Sequence, residues 1–245
     1  VSLFFTATGS DVGKTIACAL VAHRYATALT GQHVAYWKPI ATGVPEATGG
    51  RRLSTSLAPG DDDNAPHTDA AVMARLGPPN LAVLPAVYSY KAAVAPHWAA
   101  RQARRPIDRE AMTAAFRGHQ ARHSALLVEG VGGLMVPLDD RGTLLVDWVQ
   151  QLHVACVVVA HTGLGTLNHT LLTLEALAHR HVQVAGIILN GPPHQDNQRT
   201  LTALCDAPIL GTLPWLTPLN AAAIARAAVS FDPDGHLAAH LAPAG

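Results

Sequence analysis

Cysteine is scarce in this chain of 245 residues. Cys18, Cys156 and Cys205 are the whole supply, an odd number, widely spaced and each set in an apolar run. That pattern excludes a disulfide framework and a cysteine zinc site, and it fits buried thiols in a reducing compartment such as the cytoplasm. Charge of one sign is lacking too, since Lys plus Arg and Asp plus Glu number 17 each. Without a long-range field there is little to draw a polyanion, so no nucleic-acid partner is expected and the ligand should be small. No apolar run reaches the length of a membrane span, which argues against a membrane partner. Val1 to Phe5 reads as a short strand, without the basic flank or the length of a signal peptide. Histidine is plentiful at 14, yet no His-Glu-x-x-His or similar set is present, and the imidazoles read as scattered surface or capping groups.

What is present is an alternation. Strand-length apolar runs recur at Val1 to Phe5, Val34 to Trp37, Ala86 to Tyr90, Ala125 to Val128, Val154 to Ala160 and Val184 to Leu189. Between most of them lie stretches of helical period, including Lys14 to Leu29, Asp108 to Ala121 and Thr143 to Leu152. This predicts an α/β fold: a doubly wound, mostly parallel sheet with helices on both faces. The length suits one domain over residues 1–245. Leu144, Leu145, Trp148, Val149 and Leu152 share one helical face, which makes Trp148 a core residue rather than a cofactor contact. Residues 39–66, rich in Gly, Pro, Asp and Ser, read as a long mobile loop over the site. The alanine-rich tail after about Leu219 reads as one peripheral helix.

In such sheets ligands sit beyond the carboxyl ends of the strands. The first end carries Thr6-Ala7-Thr8-Gly9-Ser10-Asp11-Val12-Gly13-Lys14-Thr15, then the helical Ile16-Ala17-Cys18. A strand, a Gly-containing turn and a helix in that order make a phosphate cradle. Gly13 admits phosphate oxygens close to the backbone, Lys14 brings a charge to the β- and γ-phosphates, and the Thr15 hydroxyl can ligate Mg²⁺. The expected ligand is a nucleoside triphosphate. The usual earlier glycine is replaced by Thr8, between Ala7 and Gly9.

Other strand ends add chemistry. Lys38-Pro39-Ile40-Ala41-Thr42-Gly43 sets a second lysine and a hydroxyl at the edge of the site, suited to a transferring phosphoryl group. Glu129-Gly130-Val131-Gly132-Gly133 places an acid for Mg²⁺ and then backbone that admits substrate, or else a plain turn. After Ala160 come His161 to His169 and a helix from about Thr170, whose first N–H groups can hold a carboxylate. Asn168 is alternatively its N-cap. Asn190, after Leu189, has an amide suited to an adenine edge.

Taken in order, Thr-Gly-x-Asp-x-x-Val-Gly-Lys-Thr, Lys-Pro-x-x-[Ser/Thr]-Gly, Pro-His, Glu-Gly-x-Gly-Gly and Leu-Gly-x-x-Asn-His are marks of dethiobiotin synthetases, and the chain resembles that family from about Phe4 to Trp215. The resemblance implies a P-loop nucleotide-binding fold and a cytoplasmic homodimeric ligase that uses ATP and Mg²⁺. Its substrates would be 7,8-diaminopelargonic acid and CO₂, joined through a phosphorylated carbamate in biotin synthesis. It implies further that Lys14, Lys38, Thr42 and Ser10 serve the reacting groups. Asp11, Val12, Gly13, Thr15, Ile16, Glu129, Gly130 and Gly132 would surround the nucleotide, with Asn190, Pro214 and Trp215 at adenine. Thr15, Asp69 and Glu129 would carry Mg²⁺, with Asp61, Asp62 and Asp63 competing for the part of Asp69. Gly132 and the segment Gly165, Thr166, Leu167 and Asn168 would meet substrate, the latter from the neighbouring subunit. Two departures stand out. Ala7 replaces a common glycine, a strain of about 1–2 kcal/mol if that position needs positive φ, and Gly9 replaces a common aspartate.

Three other readings are weaker. A corrinoid-acid amidating synthetase usually has a glutamine-hydrolysing domain with a nucleophilic cysteine, for which the length and the three cysteines give no support. An ATP-switched protein of the partition or division-site kind has an extra lysine early in the loop, and Ala7 to Ser10 contains none. A family member with impaired turnover rests on Ala7 alone.

Overall fold

Strands buried on both faces read as nearly unbroken apolar runs, and that is how the centre of this protein is built. The computed structural model describes residues 1–26, 34–44 and 68–241. Among the described residues the strands are β1 (Ser2–Ala7), β2 (Val34–Trp37), β3 (Ile40–Thr42), β4 (Ala82–Leu84), β5 (Tyr88–Tyr90), β6 (Ala125–Glu129), β7 (Ala155–His161), β8 (Val184–Asn190) and β9 (Ile209–Leu213). The helices are α1 (Lys14–Ala26), α2 (Asp69–Leu76), α3 (Pro96–Gln102), α4 (Arg109–Gln120), α5 (Leu145–Leu152), α6 (Thr166–His179), α7 (Gln195–Leu204), α8 (Ala221–Val229) and α9 (Ala238–Leu241).

Seven strands form one parallel sheet in the order β4-β2-β6-β1-β7-β8-β9. Alternate residues serve opposite faces. Leu3, Phe5 and Ala7 join Leu20 of α1 and Ile224 of α8 in one core. Phe4, Trp37 and Val128 join Met112 and Phe116 of α4 and Trp148 of α5 in the other. Trp148 is fully buried, its indole N–H donating to Thr113 Oγ1 at 3.0 Å. The α/β expectation of a mostly parallel sheet covered on both faces therefore holds. No helix among the described residues is long and apolar enough to cross a membrane.

Four expectations need correcting. The run Ala86 to Tyr90 is not a strand of the main sheet. Pro85 lacks the N–H that a ladder needs, and the chain leaves the sheet after β4, so that β5 pairs with β3 in a separate two-stranded sheet. β9 was not foreseen, because Gly211 and Thr212 interrupt its apolar run. The helix expected from Thr170 begins at Thr166, with Gly165 at φ 89° as N-cap, so Asn168 lies in the first turn and is no cap. The tail is not peripheral, for Ile224, Leu237 and Leu241 are buried in the α1-side core. Asp232, itself buried, accepts the Tyr25 hydroxyl and the N–H groups of His236 and Leu237, while Arg24 Nε donates to Phe231 O at 2.6 Å. Of the thiols, Cys18 and Cys156 are buried and Cys205 is half-buried. The last residues of the helix expected to reach Leu29, most of the long loop expected over 39–66, and Asp61, Asp62 and Asp63 lie outside the described residues.

Candidate active site

β1 lies between β6 and β7, where the order of connection reverses, and a crevice for ligand opens beyond its carboxyl end. The ladder continues through Thr8, whose N–H donates to Val159 O at 3.0 Å. Ala7 is the last residue of β1 and has ordinary extended backbone, so the strain feared there does not arise; positive φ falls instead at Asp11 (55°) and Gly13 (95°). Asp tolerates that region better than most residues. Gly13 has a second reason to be glycine. A Cβ on it would stand 2.1 Å from Nδ2 of Asn190. That amide reaches across from the end of β8 and donates to Val12 O at 2.9 Å.

Helix α1 starts at Lys14, and its first N–H groups have no intrahelical partner, which makes the preceding loop a seat for anions. Lys14 is buried and folds back to donate to Gly9 O at 3.3 Å. Burial lowers its pKa below the usual lysine value, the neighbouring charge of Lys38 acts the same way, and Glu129, Asp69 and Asp11 oppose both. Ser10 and Asp11 are exposed at the rim, and Ile16 is half-buried in the first turn of α1. The glycine turn after β6 starts with one more rung of the ladder to β1: Gly130 N–H donates to Phe5 O at 2.9 Å. A Cβ on Gly132, at φ 62°, would come within 3.6 Å of Ser10 Oγ and 2.9 Å of Val136 Cγ2.

Charge gathers at the start of α1. Thr68 caps α2 by accepting Ala71 N–H at 3.2 Å, which fixes Asp69 in the first turn, where the helix dipole favours an acid. Lys38 Nζ donates to Asp69 Oδ2 at 2.6 Å and to Glu129 Oε1 at 2.7 Å. Thr15 Oγ1 lies 3.1 Å from Asp69 Oδ1 and 3.1 Å from Glu129 Oε1. Tyr36 donates to the other oxygen, Glu129 Oε2, at 2.7 Å. The Glu129 side chain is 1% exposed and that of Asp69 41%. Burial alone would lower the pKa of Lys38, but Glu129 and Asp69 outweigh it and hold the ammonium above its ordinary value. Burial raises the Asp69 carboxyl, and Lys38 and the Thr15 hydroxyl more than reverse that, leaving it below the carboxylate range. Tyr36 is pushed well up, by burial first and then by Glu129.

Two carboxylates and a hydroxyl converging on one spot are hard oxygen donors. They suit a small divalent cation that completes its shell with water and phosphate oxygens. Lys38 is the counter-charge of both acids in this arrangement.

Lys14, Thr15, Lys38, Asp69, Glu129, Ser10 and Gly132 thus lie around one crevice. Thr42 closes β3, at the turn where Gly43 N–H donates to Ala92 O at 2.9 Å. Asn190 pairs in register with Leu213, so Pro214 and the exposed Trp215 leave the sheet beside it. Gly165 to Asn168 open α6 at the end of β7. The Thr166 hydroxyl there is already bound to His161 O at 2.5 Å, whereas Asn168 is exposed. Tyr36 was missed. Its signal was available, since it stands in β2 two residues before Lys38, the spacing at which an extended chain points side chains to one side.

The AAA domain family matches residues 1–223. The ATP-dependent dethiobiotin synthetase BioD of Rhizorhabdus wittichii is 35% identical over 235 residues, which are 95% of this chain and 97% of that one. BioD 1 of Escherichia coli K12 is 34% identical over 227 residues, 89% of this chain and 93% of its own. The biotin biosynthesis bifunctional protein BioCD of Bordetella avium is 36% identical over 222 residues, 91% of this chain but 41% of its own length. Among solved structures, the septum site-determining protein MinD complexed with Mg-ADP from Pyrococcus horikoshii gives a TM-score of 0.54 at 14% identity, covering 98% of this chain and 93% of that one. The ParA family ATPase of Chlorobium tepidum gives 0.50 at 15% identity, covering 98% and 96%. These last two likenesses speak to the fold alone.

Proposed function

The chain belongs to the dethiobiotin synthetase family and shares its ATP-dependent ligase reaction of biotin biosynthesis; from that premise we propose how its residues divide the work. The substrates are 7,8-diaminopelargonic acid, CO₂ and ATP. One amine adds to CO₂ as a carbamate, a carbamate oxygen takes the γ-phosphoryl with release of ADP, and the neighbouring amine attacks the activated carbon and expels phosphate.

The observation that carries this reading is the meeting of Lys38, Asp69, Glu129 and Thr15 at the start of α1. Thr15, Asp69 and Glu129 hold Mg²⁺, which supplies charge neutralisation for the β- and γ-phosphates. Once those acids are otherwise neutralised, Lys38 can turn to the carbamate and the transferred phosphoryl, opposite Lys14. Charge that is stabilised as it develops lowers the barrier, and little covalent work is left to the protein. Ser10 and Thr42 offer hydroxyls to the same groups, and Gly132 admits substrate. Asp11, Val12, Gly13, Ile16 and Gly130 complete the phosphate seat, with Asn190, Pro214 and Trp215 at adenine. Gly165, Thr166, Leu167 and Asn168 of a second copy take the distal carboxylate, so the working unit is a homodimer, acting in the cytoplasm.

The reading of impaired turnover loses its one support, because Ala7 sits in extended strand. The test is direct. The protein is incubated with the diamine, bicarbonate, Mg²⁺ and ATP, and phosphate is measured. Release that requires the diamine is expected; release without it, or none, would overturn the ligase reading.

A further inference from the structure

We propose that Tyr36 is a positioning residue that makes Glu129 a one-oxygen ligand for the divalent cation. The inference rests on the metal role given to Glu129 above and assigns how that role is set.

Register explains the contact. Tyr36 of β2 pairs with Leu127 of β6, and Glu129 lies two residues further along β6, on the same face of the sheet. The tyrosine hydroxyl therefore meets the carboxylate from inside the sheet. It takes Oε2 at 2.7 Å, while Thr15 and Lys38, at 3.1 and 2.7 Å, both address Oε1. Lys38 follows directly after β2, two residues beyond Tyr36. Tyr36 of β2 and Lys38 just beyond its end thus divide the two oxygens of one acid. Tyr36 and Glu129 are both buried, so no solvent is at hand to replace the phenol as donor. With Oε2 held on the β2 side, the carboxylate cannot turn both oxygens to the site, and Oε1 alone faces Thr15. Removing the hydroxyl leaves a buried acceptor unpaired, and Glu129 rotates to satisfy it with Lys38 or Thr15. The cation then meets a misaligned ligand and a stronger competitor.

Partners that orient a ligand in this way typically change metal affinity by about 10–100-fold. Mn²⁺ binding in the presence of ADP is measured by the loss of the free-ion electron paramagnetic resonance signal. Wild type, Tyr36→Phe and Glu129→Gln are compared, each checked by near-ultraviolet circular dichroism and thermal unfolding. Tyr36→Phe is expected to weaken Mn²⁺ by about ten-fold or more, and to raise the Mg²⁺ concentration for half-maximal rate by a similar factor. Lower thermal stability with wild-type Mn²⁺ affinity would make Tyr36 a packing residue only and overturn the proposal, provided Glu129→Gln still loses the metal. Unchanged affinity in Glu129→Gln would instead overturn the metal reading and the proposal with it. Should Tyr36→Phe fail to fold, wild type decides alone: the infrared difference between Mg²⁺-loaded and free protein should show the wide carboxylate splitting of one-oxygen coordination, in a band absent from Glu129→Gln. A narrow, two-oxygen splitting would overturn it.

Discussion

Lys38 Nζ stands 2.6 Å from Asp69 Oδ2, an ion pair between the end of one strand and the first residue of a helix. The lysine is therefore placed by two acids before any phosphate arrives. Lys38→Gln should cut turnover by about 10²–10³-fold, and weaken ATP binding far less, since the charge is wanted chiefly in the transition state. Single-turnover phosphate release set beside calorimetric ATP binding checks this. Equal losses would make Lys38 a plain nucleotide-holding residue.

Gly13→Ala meets two obstacles at once. The backbone there is at φ 95°, and the new methyl would stand 2.1 Å from the Asn190 amide. A loss of about 1–3 kcal/mol in stability is expected, together with weaker nucleotide binding. Urea unfolding measures the first. Adding Asn190→Ser should relieve the collision and leave the backbone cost in place.

His119 packs edge-on against Trp37, with ring centroids 5.1 Å apart. Burial, followed by Arg122 and His123, holds its pKa below the ordinary value of 6.5. The unfolded chain therefore takes up the proton more readily than the folded one. Stability is complete above about pH 6.5, and falls as the pH drops through the lowered folded value. In His119→Gln the difference in urea midpoint between mildly alkaline and mildly acidic buffer should shrink. An unchanged difference would remove His119 as a source of acid sensitivity.

Trp215 is 76% exposed, whereas Trp37 and Trp148 are fully buried. Adenine seated beside Asn190 would cover it. ATP should thus shift the exposed-tryptophan emission toward the blue, and Trp215→Phe should abolish the shift although the partly exposed Trp98 remains. A shift that survives in the variant would move adenine elsewhere.

The parts of this fold that the sequence announces are those where one physical demand dominates. β7 and β8 sit inside the sheet, so each is a short apolar run rich in β-branched residues, as a strand buried on both faces requires. The phosphate loop is equally plain, because close approach to an anion demands Gly13 and a helix start. Short edge elements have no such demand. β4 and β5 have three residues each, and only Pro85, Ala86 and Val87 separate them, so they read as one strand displaced by a few positions. In the site, Lys38 and Glu129 were visible as charges at strand ends. Asp69 could be placed only through the resemblance, since its cap at Thr68 is a local hydrogen bond. Tyr36 was hidden because a tyrosine in a buried strand looks like packing until its hydroxyl is seen to have an acid to serve.

Helix α1 is gripped at both ends by segments far apart in the chain. Its opening turn carries Lys14 and Thr15, and its far end is moored through Arg24 and Tyr25 to Phe231 and Asp232. The helix behaves as a strut whose footing is the tail. A lesion at Asp232 would let that footing slip, and the slack would be felt more than a dozen ångströms away, at the turn that carries Lys14 and Thr15.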